Sequence, residues 1–149
     1  MAWVTTTYVD AFIGQGQRVA LFGTTAVFDQ FEVGARATVQ SVLQYAGYEA
    51  LGSTLTAGTI TEAFLQKLVA AIMVRDAYAM RKGIQLPQAA QDAITQSAGL
   101  LDAIYAKRLP VPGLDPAAAD GYGGVRFTPS SVYSVGGRPK RFNLRNTGF

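Results

Sequence analysis

Residues 59–83 read TITEAFLQKLVAAIMVRDAYAMRKG, and this stretch decides the fold. Thr59 and Glu62 stand at capping-box spacing immediately before an apolar run, which marks a helix start. Phe64, Leu65, Leu68, Val69, Ala71, Ile72, Met73, Val74 and Tyr78 then occupy nearly every face. A helix that is apolar all round has neighbours on all sides, so this is the central helix of a bundle. Arg81 and Lys82 complement its C-terminal dipole, and Gly83 is free to take a left-handed cap. The unbroken apolar run, LVAAIMV, lies between Lys67 and Arg75. A membrane span needs roughly 20 apolar residues, so the run reads as the buried helix of a soluble protein.

Working outward, the preceding segment repeats Ala35, Val39, Val42, Leu43, Ala46 and Ala50 at helical spacing, with Arg36, Gln40 and Gln44 opposite. This predicts an amphipathic helix from about Gln30 to Leu51, capped by Asp29 and ended by the turn-rich GSTLTAGT. On the other side, Pro87 opens a helix after the short linker GIQL. Its stripe is Ala90, Ile94, Leu101 and Ile104, flanked by Leu100 and Tyr105 and closed by Lys107 and Arg108 before Pro110 and Pro112. At the N-terminus, Thr5, Thr6 or Thr7 caps a short helix through Ile13, GQGQ breaks it, and RVALFG adds one further turn. Short links favour antiparallel neighbours. The expected fold is therefore mainly α: a small antiparallel bundle of three longer helices plus short N-terminal turns, over residues 1–110.

After Pro110 the character changes. PGLDPAAADGYGG reads as a linker, and VRFTPSSVYSVGGRPKRFNLRNTGF follows it. VYSV and RFNL flank GGRPK and are able to pair as a hairpin. Residues 1–110 carry eight basic and eight acidic side chains, whereas residues 111–149 carry five basic and two acidic ones. A neutral body thus bears a basic, aromatic arm.

The chain has no histidine and no cysteine. That excludes His-containing triads, His metal ligands, thiolate nucleophiles, zinc-thiolate sites and disulfides. Carboxylates remain for chemistry. Arg75 and Asp76 form a catalytic candidate with Glu62 or Asp102 as a second carboxylate, an idea that no second-site spacing supports; the alternatives are a structural pair at the bundle rim and a bridge to a neighbouring subunit. Met73, Tyr78 and Met80 would line a pocket between helices, or pack as core, and their spacing favours core. GQG is too short for a dinucleotide fingerprint and reads as a turn. No enzyme, cofactor or metal site is expected.

The arm has three readings. Arg126, Arg138, Lys140, Arg141 and Arg145 interleaved with Phe127, Tyr133, Phe142 and Phe149 suit phosphates and stacked bases. Five basic residues over this length are sparse for nucleic acid, and a plain solvated end is the second alternative. The third is a protein-docking arm. Ordering a residue costs roughly 1–2 kcal/mol, so such an arm needs apolar anchors. Val132, Tyr133, Val135, Phe142, Leu144 and Phe149 supply them, with Arg138, Lys140, Arg141 and Arg145 as partners for an acidic surface.

The order of elements also carries a resemblance. YVDAFIGQGQRVALFG, FDQFEVGARATVQSVLQYAGYEAL, ITEAFLQKLVAAIMVRDAYAMRKG and LLDAIYAKRLPVPG follow one another. This succession resembles the head–tail connector (adaptor, or head-completion) proteins of tailed bacteriophages, including the Mu-like connector group. Ala37, Gln40–Ser41 and Tyr45 are a loose match to the family's A-x-x-I/V-x-x-Y/L pattern, with polar residues at its middle position. Asp76, Ala77 and Tyr78 are similar to its D-[IV]-A-x-Y core, without the apolar residue after the aspartate. The resemblance spans residues 3–113.

It implies a homo-oligomeric ring, usually a dodecamer, in the virion neck, assembled in the host bacterial cytoplasm. The ring lies below the portal at the capsid vertex and continues the DNA channel without sequence-specific binding. The C-terminal arm would reach the portal protein, and the opposite face would receive a stopper or tail-completion protein. No catalysis, cofactor or membrane is implied. Trp3, Phe12, Phe22 and Phe28 are candidates for contacts between neighbours. The alternatives are a small nucleic-acid-binding protein using its basic tail, and another neck component such as a stopper or tail terminator, for which more β-structure is expected.

Overall fold

The computed structural model describes residues 2–52, 54–81 and 83–116. Five helices follow one another: α1 (Thr6–Ile13), α2 (Gln15–Phe22), α3 (Thr25–Tyr45), α4 (Ile60–Met80) and α5 (Gln88–Tyr105). No strand occurs among the described residues, and no helix there is long and apolar enough to cross a membrane. The mainly helical bundle read from the sequence is the architecture observed. The predicted hairpin of VYSV and RFNL lies outside the described residues.

α4 is the central helix, and every residue from 68 to 74 is buried. Burial of a Leu, Val, Ile or Met side chain contributes about 1.5–3 kcal/mol, so this run dominates the core. Its start is a capping box in which the Glu62 N–H donates to Thr59 Oγ1 at 3.0 Å. The Glu62 carboxylate reaches one residue further back than usual, accepting from the Gly58 N–H at 2.6 Å. Towards its C-terminal end α4 is covered on one side only: Tyr78 and Met80 are exposed, whereas Met73 and Ala77 are fully buried. The core reading therefore holds for Met73 and fails for the other two: in the same last turns Ala77 is fully buried, so Tyr78 and Met80 lie on the outward side of α4.

Helix directions follow from the cross-links. Thr61 bonds to Pro112, Lys67 to Gln96, and Arg75 lies beside Ile94, so α5 runs opposite to α4. Tyr45 and Tyr105, the last residues of α3 and α5, stack on each other, so those two helices run in the same direction. α4 is consequently antiparallel to both. α1 and α2 form a short hairpin tied by Arg18 to Asp10 at 2.5 Å.

Three boundaries differ from the sequence reading. α3 begins at Thr25 instead of Gln30, because Thr24 supplies the cap, its hydroxyl accepting from the Val27 N–H. The early start lets Phe28 and Phe31 set their rings edge-on against Phe22, at 5.2 and 5.6 Å. α3 also ends at Tyr45 instead of Leu51. Gly47 takes a φ of 96°, the Tyr48 N–H donates to the Leu43 carbonyl and the Gly47 N–H to that of Gln44, a Schellman closure. α2 is a full helix from Gln15, since only Gly14 needs a positive φ, at 93°.

Trp3 ties the N-terminus into the core. Its backbone N–H donates to Glu32 Oε1 at 2.7 Å, its indole N–H to the Gly52 carbonyl, and its carbonyl accepts from Gln66. One residue thereby connects α3, α4 and the intervening loop. Trp3, Phe22 and Phe28 are core residues, and Phe12 is half-buried against them. That corrects the candidacy of Trp3, Phe22 and Phe28 as contacts between neighbours: their own bundle uses these surfaces.

Candidate functional site

The predicted docking-arm residues Tyr133, Arg138, Lys140, Arg141, Phe142, Leu144, Arg145 and Phe149 lie outside the described residues. What the structure places is the end of the body from which the chain continues. The compact unit closes at Asp115, five residues beyond Pro110. Val111 is buried, and its N–H donates to the Tyr48 hydroxyl at 2.9 Å. Thr61 Oγ1, in the first turn of α4, donates to the Pro112 carbonyl at 2.8 Å. Gly113 follows with a φ of 75°, and the Leu114 N–H donates back to the Val111 carbonyl. Paired prolines mark the end of α5 correctly, but nothing in their composition signals that the next residues return to the core.

A groove of about 250 Å³ opens beside this segment. Leu51, Leu55 and Leu114 form its apolar part; Thr54, Thr56, Thr59, Thr61 and Glu62 form its polar rim. The Glu62 carboxylate accepts from the Gly58 N–H and from Gln66 Nε2, which fixes its place on the rim.

At the same end of the bundle lies an aromatic platform. The Tyr45 and Tyr105 rings are 4.3 Å apart at an interplanar angle of 12°, and the Lys107 ammonium lies 5.6 Å from the Tyr45 centroid. A hydrogen bond between the two phenols, with the repulsion their ionisation would create, raises the Tyr105 pKa above its ordinary value. Helix α5 closes as α3 does: Lys107 takes a φ of 59°, its N–H donates to Ile104 and that of Arg108 to Ala103. Lys107 thus occupies the left-handed position that glycine fills after α3, a conformation costing a non-glycine residue about 1–2 kcal/mol.

The catalytic candidates are not brought together. Arg75 and Asp76 pair with each other at 2.9 Å on the exposed side of α4. Glu62 sits in the cap at the other end of that helix, about 21 Å away at 1.5 Å per residue. Asp102 is exposed on α5. Among the described residues, no three acidic side chains converge as a metal site.

Among the residues that the sequence reading missed, besides Glu32, Tyr48 and Val111, is a buried serine. Ser97 falls within the stripe of Ala90, Ile94, Leu101 and Ile104, is buried, and its Oγ has no hydrogen-bond partner among the described residues. Its helical spacing from Ile94 and Leu101 was the available signal. Comparison of the chain with protein-family models, with characterised proteins and with solved structures finds no match.

Proposed function

We propose that this chain is a structural virion protein: a head–tail adaptor whose helical body forms a ring below the portal, with its C-terminal arm docking on the portal protein. The resemblance in element order motivates the reading. The observation that carries it is the rooting of residues 111–115. A docking arm transmits load and orientation only if it leaves its body at a fixed point, and here that point is tied to Tyr48 and to Thr61. The groove and the aromatic platform at this end are surfaces for neighbouring proteins on the same account. A ring requires a heterologous interface that closes by rotation. Exposed Val19, Val33, Ile60, Tyr78 and Met80 are among the apolar side chains available for it, and none of them belongs to the buried core.

The runner-up is a nucleic-acid-binding protein using the same arm, favoured by the basic surplus of residues 111–149. The two readings separate in one experiment on the full chain and a variant lacking residues 136–149. The adaptor reading expects the full chain to bind the portal protein encoded in the same genome and the variant to lose that binding. Tight duplex-DNA binding with a steep salt dependence, abolished by the same deletion, would establish the alternative instead.

A further inference from the structure

We infer that Tyr45 and Tyr105 are a site of oxidative cross-linking, at which a one-electron oxidant joins the ends of α3 and α5 through a dityrosine bond. The inference is independent of the adaptor reading and rests on geometry.

Each tyrosine is the last residue of its helix, and each helix closes with the same pair of backbone hydrogen bonds. The two side chains are thus presented from equivalent positions of two helices that run in the same direction. Their rings are 4.3 Å apart and 12° from parallel. Stacking at this separation holds the ring carbons of one phenol, the Cε carbons ortho to its hydroxyl included, within reach of those of the other. Those ortho carbons are where a tyrosyl radical carries spin. Tyr45 is 58% and Tyr105 50% exposed, so a soluble oxidant reaches both. Tyr48, by contrast, is buried and its hydroxyl engaged by Val111, and Tyr78 stacks on no described ring. The chain has no cysteine, so this pair is a route to a covalent staple that disulfide chemistry does not offer it.

The chemistry balances with a named class of oxidant: a peroxidase-type haem or a photo-generated metal complex that accepts one electron at a time. Each phenol gives up one electron and its hydroxyl proton, forming two tyrosyl radicals. A Cε–Cε bond forms between them. The hydrogen left on each bonding carbon moves to the phenolic oxygen, restoring both aromatic rings and both hydroxyls. The net change is two C–H bonds replaced by one C–C bond, with two electrons passed to the oxidant and two protons released.

The test exposes the dilute full chain to light with tris-bipyridyl ruthenium and persulfate, and reads dityrosine fluorescence together with peptide mapping by mass spectrometry. The expected product is an intramolecular link between the Tyr45 and Tyr105 peptides, lighter than their sum by two hydrogen atoms. Preorientation makes the intramolecular route dominant, so its yield falls about tenfold or more in denaturant. Tyr45→Phe and Tyr105→Phe, which keep the stacked rings and are checked for helicity, each abolish it, while Tyr78→Phe leaves it intact. The linked chain unfolds at a higher temperature than the unlinked one. A product that is mainly intermolecular, that joins Tyr122, Tyr133 or other tyrosines, or that survives Tyr105→Phe overturns the inference.

Discussion

Thr61 Oγ1 occupies the space that a Cβ on Gly113 would need. The same hydroxyl donates to the Pro112 carbonyl, and Gly113 has a φ of 75°, so the end of the body depends on this contact twice over. Gly113→Ala should destabilise the fold by about 2 kcal/mol or more, from left-handed strain and overpacking together. Thr61→Ala removes the colliding atom and one hydrogen bond, worth about 1 kcal/mol. The double variant should therefore cost less than the sum of the singles, by about 1 kcal/mol in urea unfolding. Strict additivity would show that the two residues do not meet.

Glu32 is a buried carboxylate that receives the Trp3 N–H at 2.7 Å, with Arg36 at 3.9 Å. Glu32→Gln keeps an acceptor but loses the charge, and should cost about 1–2 kcal/mol. Glu32→Ala strands a buried N–H as well, and should cost about 3 kcal/mol or more. Equal losses for the two variants would mean that the Trp3 N–H is satisfied elsewhere. Equilibrium unfolding in urea measures both.

Ser97 lies on the buried face of α5 with its hydroxyl unpartnered among the described residues, beside a cavity of only about 10 Å³ lined by Ala71, Ile72, Arg75, Ile94 and Ala98. Removing an unsatisfied buried hydroxyl recovers about 1 kcal/mol, and alanine is the better helix former. Ser97→Ala should raise the unfolding midpoint. A clear fall would show that the hydroxyl is engaged in the folded protein.

Burial raises the Tyr8 pKa above its ordinary value of 10.0. The unfolded chain therefore releases this proton at lower pH than the folded one. The contribution is intact below pH 10 and is lost as pH rises through the folded pKa. Stability of the wild type should decline more steeply above pH 10 than that of Tyr8→Phe, measured by urea unfolding along an alkaline series. Parallel curves for the two proteins would contradict a burial-driven shift.

The elements that the sequence disclosed are those with redundant signals. α4 had a capping box and an apolar run on all faces, and it starts one residue after Thr59 as read. α3 was read as capped by Asp29, whereas Thr24 caps it, and periodicity alone does not fix where such a helix starts. The choice is made by Phe28 and Phe31 against Phe22, a tertiary contact. Its end was obscured because Ala46 is buried and prolongs the stripe past the Schellman turn at Gly47. Tyr45 and Tyr105 were visible individually, but their pairing depends on two helices ending level with each other, which sequence spacing does not encode. Val111 was hidden for a similar reason: its partner is the Tyr48 hydroxyl, far away in the chain.

The adaptor account is tested most directly by electron microscopy of the full chain co-expressed with the portal protein of its own genome. The account predicts a closed ring of this protein seated on the portal. It also predicts that the ring is lost from the portal when residues 136–149 are removed, while circular dichroism shows the helical body still folded. A chain that stays monomeric and leaves the portal bare, or a ring that remains attached without those residues, would contradict it.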